Sequence, residues 1–131
     1  MVESKIVDGL RYTKTHEWIK VEGNKAKIGI TDYAQHTLTD IVFVELPKAG
    51  AEVAAGKQLC VVESVKSVSE IYAPVACKVE KANAALESAP EKINKDAYGE
   101  GWIAELTLKN PAEASKLMDA KAYEAFLKTQ H

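Results

Sequence analysis

Apolar and polar residues alternate over Trp18-Ile19-Lys20-Val21-Glu22 and again over Ala26-Lys27-Ile28-Gly29-Ile30, the two-residue period of half-buried strands. Gly23-Asn24 between them can supply the positive φ of a tight turn, so the pair predicts a β-hairpin. Thr31 offers an N-cap oxygen to a short helix over 32–36, with Asp32 favourable in its first turn. Strands are predicted over 41–46, 59–62, 68–72, 77–81 and 102–108, with a short segment at 52–53 between the breakers Pro47-Lys48-Ala49-Gly50 and Ala55-Gly56. In the last of these Trp102, Ala104, Leu106 and Leu108 share one face, and both Trp18 and Trp102 are expected in the core. Pro74 has no N–H for a ladder and must close a strand or lie at an edge. Residues 83–94 predict a short capped helical turn and a loop broken by Pro90.

Near the end, Asn110-Pro111-Ala112-Glu113 sets a cap, an N1 proline and an acid in order. Ala114, Leu117, Met118, Tyr123, Phe126 and Leu127 recur at helical spacing over about 111–129, with Asp119 capping the second of two short helices. Their apolar stripe should cover an open face of a sheet. Many short strands with Gly-bearing turns point to a sandwich or barrel, mainly β with helical trim.

A chain of 131 residues, 47% of them hydrophobic, suits a single domain with one core. The formal net charge of −2 gives no basic surplus to attract nucleic acid or an anionic membrane. No apolar run approaches the ~20 residues of a membrane span. The opening Met1-Val2-Glu3-Ser4-Lys5 has no apolar signal core, against a secretory or transit peptide. Cys60 and Cys77 lack metal-type spacing and read as buried free thiols. Gly99-Glu100-Gly101 reads as a turn, since it lacks the remaining glycine and the lysine of a phosphate loop. His36 reads as a helix-surface residue.

The segment Glu63-Ser64-Val65-Lys66-Ser67-Val68-Ser69-Glu70 is nearly mirror-symmetric about Lys66, with β-prone residues on both sides. A hairpin here would hold one amine in water, flanked by Glu63 and Glu70. Spacing alone leaves Lys66 open between an ordinary exposed lysine and a modified one, because no Gly or Asn marks the tip as a tight turn.

A longer stretch resembles the lipoyl and biotinyl carrier domains. Their Gly-x-x-Val-x-x-Gly-x-x-Leu lead-in is matched by Gly50, Val53, Gly56 and Leu59, their acid three residues before the lysine by Glu63, and their exit by Ala73-Pro74-Val75. Five ordered blocks are similar to glycine cleavage H proteins: Tyr12 to Trp18, Gly29 to Gln35, Asp40 to Pro47, Val62 to Lys66, and Tyr98-Gly99-Glu100-Gly101-Trp102. The resemblance implies a barrel-sandwich hybrid of two short antiparallel sheets, one carrier domain over 1–131 with its lipoyl motif at about 41–82. It implies a non-catalytic carrier with lipoic acid joined to Lys66 as an amide. Such a carrier takes the aminomethyl group of glycine from a PLP-dependent glycine decarboxylase to a folate-dependent aminomethyltransferase, and electrons to an FAD-dependent dihydrolipoyl dehydrogenase. It implies recognition of Glu63 by a lipoate-attaching enzyme, and docking of the loaded arm at His16, Glu17 and Glu70. It further implies a monomer, cytoplasmic in a bacterium or in the mitochondrial matrix of a eukaryote. The competing reading is an H-like lipoyl donor that supplies other carriers. An enzyme in its own right is disfavoured by the lack of any nucleophile motif or cysteine–histidine pair.

The chain departs from that family at Thr39, Cys60 and Cys77, where glycine is usual, and at Ala97, where proline is common. Each lost glycine removes an option for positive φ, so strained or altered turns are expected at those three positions.

Overall fold

In the computed structural model, residues 4–130 are described. Met1, Val2 and Glu3, which weighed against a leader peptide, lie outside the described residues. Among the described residues nine strands run in chain order: β1 (Arg11–Tyr12), β2 (Glu17–Glu22), β3 (Lys25–Ile30), β4 (Ile41–Glu45), β5 (Glu52–Val53), β6 (Gln58–Ser64), β7 (Val68–Tyr72), β8 (Cys77–Ala82) and β9 (Ala104–Leu108). The helices are α1 (Asp32–Leu38), α2 (Ala85–Ser88), α3 (Lys92–Lys95), a 3-10 turn over Pro111–Lys116, and α4 (Ala120–Leu127). The strands form two antiparallel sheets, β1-β2-β3-β9-β8-β5 and β4-β6-β7.

The expected β2–β3 hairpin forms, with Glu22 opposite Lys25 and Gly23 at φ 64° in the turn. Alternation then sends alternate residues to two separate cores. Ile19, Ile28, Val44, Val62, Ile71, Val79 and Leu106 belong to the core between the sheets. Tyr12 and Trp18 are cross-strand partners facing the other way, and with Leu10 and Tyr123 they build a second, smaller core. α4 covers it as its stripe predicts, with Tyr123 stacked on Tyr12 at 4.4 Å between ring centroids. Asp119 caps α4 by accepting from the Ala122 N–H at 2.9 Å. Gly29 lies opposite Trp18. A Cβ there would come within 2.7 Å of the indole, so the ring occupies the space a side chain would need.

Four local expectations change. Trp102 precedes β9 rather than beginning it, is half-buried against the smaller core, and has Lys27 Nζ 5.1 Å from its ring centroid. The ladder to β3 reaches only to Ala104, so the indole follows the preceding turn instead of the sheet face. The first C-terminal helix is a 3-10 turn, because Met118 leaves the spiral to exchange backbone hydrogen bonds with Tyr12. Residues around Pro90 form two short helices rather than a helical turn and a loop. Of the three non-glycine positions singled out, only Thr39 has positive φ, at 65°. Cys60 and Cys77 sit inside strands, where no left-handed backbone is needed.

Candidate functional site

The small sheet ends in a hairpin between β6 and β7 whose tip is Val65-Lys66-Ser67, all three exposed. It needs no glycine because a serine side chain builds the turn. Ser64 Oγ accepts from the Lys66 N–H at 3.1 Å and the Ser67 N–H at 3.0 Å, while the Ser64 N–H donates to the Ser67 carbonyl at 2.8 Å. The Val65 N–H donates to the Asp40 carbonyl at 3.0 Å, which fastens the tip to the α1–β4 connection. That connection is itself clamped by Asn94. Its amide donates to the Thr39 carbonyl and to Gln35 Oε1, both at 2.9 Å, and its oxygen accepts the Ile41 N–H at 2.9 Å. The tip is thus held from below by four hydrogen bonds to backbone or side-chain groups.

Lys66 Nζ donates to the Thr37 carbonyl at 3.3 Å, at the C-terminal end of α1. No salt bridge involves Lys66 among the described residues. A backbone carbonyl in water is a weak tether, so the amine is accessible for chemistry. Glu63 is half-buried one pair below the tip, opposite Phe43 on one side and Val68 on the other. Glu70 is exposed and accepts from the Tyr72 hydroxyl at 2.6 Å, which pushes the Tyr72 phenol above its ordinary range.

Glu17 is buried, at 1% exposed. Its Oε1 accepts from the Thr13 and Thr15 hydroxyls, each at 2.5 Å, and its Oε2 accepts from the Tyr72 N–H at 3.2 Å. One carboxylate therefore joins the start of the large sheet to the last residue of β7 in the small one. Beside it opens a cleft of about 640 Å³, walled by Thr13, Thr15, Glu17, Tyr72, Pro74 and Met118. β7 runs from the Lys66 tip to this cleft. Tyr72 touches Glu17 through its backbone and Glu70 through its ring, so the structure gathers two of the three expected docking residues around it.

His16 lies elsewhere. Its φ of 69° turns the ring away from the cleft to share a 2.8 Å hydrogen bond with the Tyr123 hydroxyl. Tyr33 and Phe126 pack on it at 4.6 and 5.8 Å. Burial pushes this imidazole below its ordinary pKa. Its partners mark it as a fastener for α4. The sequence reading missed Tyr72, Thr13 and Thr15. The two threonines flanking position 14 just ahead of an acid were a faint signal, readable only once that acid is known to be buried. His36 is exposed and pairs with Asp32 at 3.3 Å, four residues back on α1. Cys60 and Cys77 are buried and free, and burial pushes the Cys60 thiol up to about 12.

Two antiparallel sheets around one core, with a lysine offered at a hairpin tip, are the barrel-sandwich architecture of lipoyl- and biotinyl-carrier proteins. A family model described as "Glycine cleavage H-protein" matches residues 10–130, and the chain belongs to that family. A glycine cleavage system H protein of Symbiobacterium thermophilum is 57% identical over 119 residues, covering 91% of this chain and 93% of that protein. One from Acidobacterium capsulatum is 53% identical over 120 residues, 92% of each. The crystal structure of a glycine cleavage system H protein from Mycobacterium marinum superposes with a TM-score of 0.86 at 33% identity, over 94% of this chain and 99% of that one.

Proposed function

We propose that this chain is the lipoyl carrier of glycine cleavage, acting as one domain over residues 1–131 with its lipoyl motif at about 41–82. In this reading Lys66 carries the group. The chain takes the aminomethyl group of glycine from a PLP-dependent decarboxylase to a folate-dependent aminomethyltransferase, then meets an FAD-dependent dihydrolipoyl dehydrogenase. It supplies no acid, base or nucleophile of its own and works as a monomer in the cytoplasm of a bacterium. The observation that carries the proposal is an exposed amine on a tip whose three N–H groups are all held, with a carbonyl 3.3 Å away.

The residues present fit a lipoyl amide at this position. Acylation removes the ammonium charge, and no carboxylate among the described residues is left without its cation, since none of them pairs with Lys66. The remaining N–H can still donate to the Thr37 carbonyl. When bound, the group supplies a disulfide that can be reduced and reoxidised and a sulfur that can hold a one-carbon fragment. The chain's own contribution is presentation. A stiff tip fixes where the arm starts, and a tethered group stays at high effective concentration for each partner. Glu17 and Glu70, set around Tyr72 beside the cleft, provide negative charge for an amine brought to that end of β7. Glu63, half-buried and unpaired by any salt bridge among the described residues, is the acid an attaching enzyme would read.

Intact mass of the protein from its native host tests the proposal. The expected result is a single lipoyl increment that disappears in Lys66→Arg, with an unchanged thermal midpoint because an exposed tip packs against little. An unmodified native protein, or an arginine variant that unfolds, overturns it.

A further inference from the structure

The outer face of the small sheet and the tip above it carry the large exposed apolar side chains of the described residues: Phe43 at 50%, Val42 at 53%, Val65 at 68% and Val68 at 64%. Their grouping follows from register. Phe43 stands opposite Glu63, and Glu63 opposite Val68; one row further from the tip, Glu45 stands opposite Val61, and Val61 opposite Glu70. Directly opposed residues share a face, so this surface reads apolar–acid–apolar and then acid–apolar–acid. The β4 register shifts between Ile41 and Phe43. Ile41 and Val44 both point inward, and the extra residue turns Val42 outward together with Phe43. A regular strand would have buried one of the two.

We propose that this face is the docking surface for the enzyme that acylates Lys66, and that its mouth is apolar with a basic rim. The inference rests on the carrier reading of Lys66. The choice of partner follows from reach. An unmodified lysine extends only roughly 6 Å from its Cα, so an enzyme acting on Nζ must cover the hairpin itself. Partners that act at the far end of a long arm need not touch it. In the covalent step the Lys66 ammonium loses a proton and its nitrogen attacks the carbonyl carbon of an activated lipoyl anhydride held by the enzyme. The C–N bond forms, the bond to the leaving group breaks with its electron pair, and the nitrogen sheds a second proton to become an amide.

Charge fixes the other half of the match. Glu63 stands between Phe43 and Val68, Glu45 and Glu70 flank the next row, and none of the three is in a salt bridge among the described residues. Exposed apolar side chains grouped in this way suit the centre of an interface, and Glu45 and Glu70 fall where a polar rim belongs. Apolar anchors at the centre set affinity, whereas rim charges set approach rate and salt dependence.

The test is attachment kinetics followed by intact mass, using a purified lipoate-attaching ligase with lipoate and ATP. Phe43→Ser and Val68→Ser are expected to raise KM for the carrier about tenfold each, a typical anchor loss. Their kcat should stay within about twofold and their urea midpoints should match the parent. Glu45→Lys should slow association and flatten its salt dependence. If the parent is acylated and both serine variants are acylated with the parent's kcat/KM, the docking assignment is wrong while the carrier reading stands. If the parent is not acylated on Lys66, the carrier reading itself fails. Sedimentation showing a dimer that Phe43→Ser disperses would assign the face to a second copy and also overturn the proposal.

Discussion

Thr39 joins α1 to β4 at φ 65° and ψ −150°, a region open to glycine and costly for a β-branched residue. Two ties enforce the conformation. The Thr39 N–H closes on the Gln35 carbonyl at 3.0 Å, and Asn94 holds the Thr39 carbonyl at 2.9 Å. Relieving such backbone strain is worth about 1–3 kcal/mol. Against it, a glycine loosens the unfolded chain by about 0.4–1 kcal/mol. The Thr39 hydroxyl bond to the Leu38 carbonyl is also lost, but on an exposed residue water replaces it. Thr39→Gly should therefore stabilise by about 1 kcal/mol, raising the thermal midpoint by roughly 3–5 °C for a chain of this length. Urea unfolding should show a higher midpoint with an unchanged m-value. Thr39→Ala should gain less, because its Cβ remains at positive φ. A glycine variant no more stable than the parent would refute the reasoning and place the strain elsewhere. The position matters for the site because the neighbouring Thr37 and Asp40 carbonyls hold Lys66 Nζ and the Val65 N–H.

Glu17→Ala strands two threonine hydroxyls and the Tyr72 N–H; a loss of about 2–3 kcal/mol is expected by urea titration, and one below about 0.5 kcal/mol would show that the carboxylate is not a staple. Burial holds the His16 pKa below its ordinary value, so the unfolded chain binds the proton more readily. Its stabilising neutrality is full above the ordinary histidine range and is lost as pH falls through it. Stability of the parent should drop more steeply than that of His16→Gln from pH 7.5 to about 5.5, and parallel curves would exclude the assignment. With its pKa near 12 and its side chain buried, Cys60 should resist a disulfide reagent in the native protein and react on denaturation; rapid native labelling would contradict that burial.

The hairpin over 18–30, the cap of α1 and the stripe of α4 were all legible in the sequence, because each depends on residues close in the chain. The position of Lys66 between two β-prone halves was equally plain. How the tip closes without glycine was not, since it depends on Ser64 folding its own hydroxyl under the turn. Trp102 misled because strand periodicity continues into a residue that the β3–β9 ladder does not reach.

By itself, then, the order of residues determined most of the strands, though not β1, the β-prone halves that flank the lysine, and the family, all matters of local spacing and ordered blocks. Tertiary structure alone decided that Glu17 is a buried link between sheets, since its donors include an N–H 55 residues away. It also decided that Tyr123 seals a second core on Tyr12, and that a one-residue shift in β4 turns Phe43 and Val42 out beside the lysine. The physical reason is common to all three. Periodicity says which residues share a face, but what the chain lays over that face is set by contacts distant in sequence.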